Sequence, residues 1–233
     1  MTTIKSQSRS PLFHLDFASG VHNLDTIMDV DGSKVEPTFI YLGGMATANT
    51  WLPYKYGDTL SIVRTGDAPT LNDGSPLLGP LDDSVRGNFG KNYQRVGDND
   101  YANLSGDDVW VKVICTYADE TTRIFSKQSG AAWFELQQNP SSQLRMAFGP
   151  PSNVLIVPGL LEGEWYVLDF VFDRSGSARA YKNGLPVDTE DITSVVELDT
   201  PGSFNVLGWQ HSVNTTTGSL AYLALWQKAG WFD

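Results

Sequence analysis

Apolar and polar positions alternate with a period of two through much of the second half of the chain. In EWYVLDFVFD, residues 164–173, Tyr166, Leu168, Phe170 and Phe172 occupy one phase, and Trp165, Val167, Asp169 and Val171 the other. That is the period of a strand. Both phases are largely apolar there, and again in residues 219–227, which predicts central strands covered on both sides. In residues 143–148, Leu144, Met146 and Phe148 oppose Gln143 and Arg145, the mark of a strand with one buried face. The same reading places strands at 92–96, 100–104, 108–117, 121–127, 131–137, 153–157, 177–182 and 203–209. Turn chemistry separates them. Arg174-Ser175-Gly176 closes one hairpin, and Asn183-Gly184 offers the positive φ angles of a type I′ turn.

The first half is sparser. Residues 1–11 are polar, end in Ser-Pro and predict a flexible arm. Candidate strands follow at 12–17 and, inside a loop-rich excursion spanning about 18–91, at 39–42 and 60–65. Residues 66–91 hold five Gly and three Pro, which predicts little β structure. Residues 191–198 suit one or two helical turns, but their Val and Thr content suits a strand equally. The domain is therefore read as 12–233, all-β, two antiparallel sheets packed face to face.

Charge changes the picture in one way. Sixteen Lys and Arg against 27 Asp and Glu leave −11, with no basic run, which argues against a nucleic-acid partner. No apolar run is long enough for a membrane-spanning helix, and MTTIKSQSRSPLF has no apolar core of an export signal. The single cysteine, Cys115, falls in the apolar phase Val109-Val111-Val113-Cys115 and reads as a small buried hydrophobe.

The stretches NYQRVGDNDYANLS, VWVKVICTY, RIFSKQSGAAWFELQQNPSSQLRMAFG, GEWYVLDFVFDRSGSARAYKNGLPV and FNVLGWQHSVNTTTGSLAYLALWQKA resemble, in order, the laminin-G-like branch of the concanavalin A-like lectin and glucanase superfamily. The resemblance covers about residues 90–229 and implies a jelly-roll β-sandwich. It does not imply one function, since such a fold carries lectins, hydrolases and structural parts alike. The chain also stops soon after the last of these stretches, at Gly230-Trp231-Phe232-Asp233, which suggests a different closure or a longer polypeptide.

Candidate chemistry is thin. The enzymes of this fold use Glu-x-Asp-x-x-Glu, and the nearest match, Glu197-Leu198-Asp199-Thr200-Pro201-Gly202, lacks the second glutamate. The histidines 14, 22 and 211 have no zinc spacing. Asp98 and Asp100 stand in a loop where the family often gathers oxygen ligands, so calcium is the one cofactor to consider. Sugar stacking would call on Trp209, Gln210 and His211, or on Trp51 and Tyr54.

The expectation is a non-enzymatic structural protein of a bacteriophage virion, as a capsid decoration, head-fibre or tail-fibre module. It would be made in the host cytoplasm, form a homo-oligomer, and contact other virion proteins or a host-surface glycan. The alternatives are a carbohydrate-binding domain of a larger surface protein and a divergent polysaccharide hydrolase or lyase.

Overall fold

β-Branched and aromatic residues pair into two antiparallel sheets. The computed structural model describes strand backbones within residues 27–96, and residues 106–129, 132–149, 152–195, 204–206, 218–228, 230 and 231. The strands are β1 (Ile27–Met28), β2 (Lys34–Val35), β3 (Phe39–Leu42), β4 (Thr50–Trp51), β5 (Leu60–Ser61), β6 (Val63–Thr65), β7 (Thr70–Asn72), β8 (Ser84–Arg86) and β9 (Tyr93–Val96). Then come β10 (Asp108–Thr116), β11 (Thr122–Ser129), β12 (Ala132–Asn139), β13 (Gln143–Gly149), β14 (Asn153–Val157), β15 (Trp165–Asp173), β16 (Ser177–Lys182), β17 (Leu185–Asp191), β18 (Phe204–Val206) and β19 (Ser219–Lys228).

The first sheet runs β17-β16-β15-β10-β19 and continues to β8 and β7, with β3 also paired to β19. The second runs β14-β13-β12-β11-β18-β9-β6. Small β1-β2 and β4-β5 ladders stand apart. All named strand pairs are antiparallel. The protein is thus a two-sheet antiparallel jelly-roll β-sandwich.

The space between the sheets is filled from both sides. Val109, Val111, Val113 and Cys115 of β10 meet Phe134, Leu136, Leu144, Met146 and Phe148 of the second sheet. Phe172 stands edge-on to Phe134 and Phe148, with ring centroids 5.6 and 5.0 Å apart. Each such ring adds about 1.5–3 kcal/mol by leaving water. One end of the sandwich is tied by polar side chains. Gln138 accepts from the Ala118 amide at 2.7 Å, and the Thr116 hydroxyl accepts from the Ser219 amide at 2.7 Å. Gly218 allows this approach, since a Cβ there would lie 2.9 Å from Gln138 Nε2 and 3.3 Å from the Thr116 carbonyl.

Several sequence expectations meet the structure directly. Asn183 and Gly184 have φ of 50° and 80°, and the Asn183 side chain accepts from the Val167 amide at 2.9 Å. Within residues 66–91, β7 and β8 extend the first sheet. Two expectations differ. β17 follows the Asn-Gly turn, although its sequence LPVDTED shows no apolar alternation; it is an edge strand whose exposed positions need none, and where Pro is tolerated. Residues 192–195 form neither helix nor strand but a turn, with Asp191 accepting from the amide and hydroxyl of Thr193 at 2.9 and 2.7 Å. The expected strands at 12–17 and 100–104, and residues 1–11, lie outside the described residues.

Candidate functional site

The two sheets present very different outer faces. On the first, Trp110, Ile114, Val171, Tyr181, Tyr222, Ala224, Trp226 and Trp231 form a second apolar cluster away from the inter-sheet core. Trp110 lies with its ring centroid 5.4 Å from Trp226 and 5.9 Å from Trp231. An ion pair is buried among them. Lys112 Nζ stands 2.6 Å from Asp169 Oδ1, and the Trp110 indole donates to the same oxygen at 2.9 Å. Lys112 also sits over the Trp110 ring at 5.3 Å. This face is closed.

The second sheet turns polar side chains outward. Leu136, Met146 and Leu155 share the inward register, so Glu135, Ala147 and Val154 share the outward one. In the next outward row stand Arg123, Gln137, Arg145 and Ile156. Arg123 reaches this face through a bulge. The register passes from Arg123↔Gln137 to Phe125↔Leu136, leaving Ile124 as the extra residue. Simple alternation with Phe125 would point Arg123 into the core; the bulge re-aims it outward. There its guanidinium clasps Glu135, Nε to Oε2 at 2.5 Å and Nη2 to Oε1 at 3.4 Å. Charged bonds of this forked kind fix both partners in orientation.

The floor around this pair is made of small residues. Ser126 and Ala147 flank Glu135, and Asn205 follows Ser126, its amide donating to the Ser126 carbonyl at 3.3 Å. Farther along the same face Trp133 is partly exposed and has Gly149 opposite it, with no side chain on that flank. Gln137 and Arg145 are likewise half-buried. The face combines an indole plane, an amide, two guanidinium groups and one carboxylate, a set suited to holding a polar ring by stacking and hydrogen bonding.

Of the residues singled out from sequence, Trp209, Gln210, His211, Tyr54, Asp98 and Asp100 lie outside the described residues. Trp51 is placed by its backbone in β4, opposite Leu60. Among the described residues no three His, Cys, Asp or Glu side chains gather as metal ligands. No described helix is long and apolar enough to cross a membrane. Cys115 is buried in the core, and burial pushes its thiol up to about 12, which leaves it unreactive near neutral pH.

A family model described as Concanavalin A-like lectin/glucanases superfamily matches residues 96–230. The chain belongs to this superfamily. No curated protein matches it. Among solved structures, the receptor-binding domain of botulinum neurotoxin C/D mosaic serotype is similar at 10% identity and TM-score 0.61, over 82% of this chain and 47% of that one. The binding domain of Paraclostridial Mosquitocidal Protein 1 is similar at 11% identity and TM-score 0.61, over 83% and 49%. Domain 4 of AbnA, a GH43 extracellular arabinanase from Geobacillus stearothermophilus solved with arabinotriose, is similar at 18% identity and TM-score 0.61, over 84% and 95%. The chain spans about half the length of the toxin domains. At such identities the likeness is one of fold.

Arg123, Trp133, Glu135, Gln137 and Arg145 were not singled out by the sequence reading. Their strands are legible, and the outward phase of Arg145 is legible too. What brings these residues together is cross-strand register and a bulge, neither of which leaves a local signature.

Proposed function

We propose that this protein is a non-enzymatic recognition module on the surface of a bacteriophage particle, using its lectin-like sandwich to contact a glycan. The carrying observation is the contrast between a closed first sheet and a polar, half-open outer face on the second, with Trp133, Gln137 and Arg145 beside the Arg123–Glu135 pair. The similar folds include receptor-binding domains of toxins and a domain solved with arabinotriose. A glycosidase would divide acid and base roles between two carboxylates flanking the bond, and Glu135 is the one carboxylate among the described residues of this face, already engaged by Arg123.

The particle assignment draws support from cysteine use. The chain has one cysteine, buried in the core, so its sandwich is built without an internal disulfide and suits folding in a reducing cytoplasm. Other virion proteins would then be partners, in a homo-oligomeric arrangement. The second reading, a carbohydrate-binding domain of a larger surface protein, is favoured by the match over 95% of the AbnA domain. Calcium at Asp98 and Asp100 would be an accessory in either.

Purified protein applied to a broad glycan array tests the recognition claim. Binding that Trp133→Ala abolishes in a folded variant is the expected result. An array with no binding overturns it. Immunogold labelling of purified particles with antibodies to this chain tests the location, and unlabelled particles would remove the virion assignment.

A further inference from the structure

The outward row of the second sheet carries more than hydrogen-bonding capacity. Arg123, Gln137 and Arg145 lie directly opposite one another on β11, β12 and β13. With neighbouring strands about 4.8 Å apart, the two arginine backbones stand about 10 Å apart with an amide between them. Glu135 holds the Arg123 guanidinium in a fixed plane. Arg145 is half-buried, and its side chain makes no hydrogen bond or ion pair among the described residues. At the row's far edge, Asp188 is engaged by the Ile156 and Thr189 amides at 2.7 and 2.9 Å. So a protein of net charge −11 sets two guanidinium groups against one carboxylate among the described residues of this face.

Resting on the glycan-recognition reading above, we propose that this face binds a carboxylated polysaccharide, with Arg145 as the principal anchor of the sugar carboxylate. Arg145 supplies a planar fork of donors matched to a carboxylate. Gln137 hydrogen-bonds to ring hydroxyls, and Trp133 offers its plane to a sugar farther along the chain. The charge pattern selects against neutral polymers. It also selects against nucleic acid, whose dense phosphates would meet an acidic chain with only a sparse row of cations. A sheet face with a partly exposed indole favours stacked rings over an acidic peptide.

The test prints uronic- and sialic-acid-containing glycans beside their carboxyl-reduced forms, with dextran sulfate and polyglutamate as controls, and probes them with the full chain. Binding to carboxylated forms over reduced forms is expected, weakening as salt rises. Arg145→Ala should lower affinity about tenfold or more with an unchanged melting temperature, and Arg145→Lys should recover part of the loss. Equal binding to the reduced forms overturns the acidic preference and leaves glycan recognition standing. Binding of dextran sulfate or polyglutamate as strong as that of the carboxylated glycans, indifferent to Arg145→Ala, marks non-specific anion exchange and also overturns it. No binding to any glycan, charged or reduced, removes the recognition reading together with this one.

Discussion

The outer faces of the two sheets belong to the same sandwich and share one core, yet they solve opposite problems. The first is sealed: Trp110, Tyr222, Ala224 and Trp226 are essentially closed from solvent, and Lys112 and Asp169 are buried at 2% and 4% side-chain exposure. The second keeps its ion pair nearer to water, with Arg123 and Glu135 at 16% and 12%. A charge taken fully out of water depends on its partner, because solvent can no longer replace it. A charge kept near water is oriented by its partner rather than rescued by it. The first face therefore reads as architecture, and the second as surface that has been shaped and left available.

Removing one partner from each pair puts that distinction under the largest strain. Asp169→Ala leaves the Lys112 ammonium and the Trp110 indole without the oxygen they share, and should destabilise the protein by about 3–5 kcal/mol. Glu135→Ala should cost less than about 1 kcal/mol. Urea unfolding of both variants at neutral pH decides it: equal losses would erase the difference between the faces. Replacing Lys112 and Asp169 together by Met and Leu should return most of the stability, since apolar groups suit the surrounding tryptophans.

What could be read from the chain follows the same divide. β15 and β19, sealed on both sides, announce themselves by runs with two apolar phases, and β10 and β13 by a single one. The Asn183-Gly184 corner is legible because its positive φ angles need those residue types. β17 is silent because an edge strand with Leu185 and Pro186 exposed has no periodic demand on its sequence. The cluster of Trp110, Trp226 and Trp231 joins residues more than a hundred positions apart, so composition reveals the tryptophans and only topology reveals the cluster. Arg123 is the sharpest case. Its alternation with Phe125 assigns it to the core, and one unpaired residue, Ile124, reverses that assignment.

Alkaline pH probes the sealed strand from its inner side. Burial raises the Cys115 thiol from 9.0 to about 12 in the folded protein. The unfolded chain then loses this proton first, so the associated stability is fully present below pH 9 and declines as pH rises toward 12. Between pH 9 and 11 the wild type should lose about 1 kcal/mol per pH unit more than Cys115→Ala. Tyr117, also raised chiefly by burial, acts in the same direction in both proteins, so the difference isolates the thiol. Identical alkaline slopes would mean that β10 is open to solvent on that side.

The smallest effect gives the finest discrimination. A double-mutant cycle of Arg123→Ala and Glu135→Ala should return a coupling of about 0.5–1 kcal/mol, because both side chains retain contact with solvent. Salt should weaken it, since the pair keeps some contact with solvent through which ions screen it. The equivalent cycle on Lys112 and Asp169 should be larger and nearly indifferent to salt. A strong, salt-insensitive coupling at Arg123–Glu135 would show that the second face is as closed as the first. It would then hold its guanidinium for the fold alone, and Arg145 would be left without the pre-oriented neighbour that makes the row a binding surface.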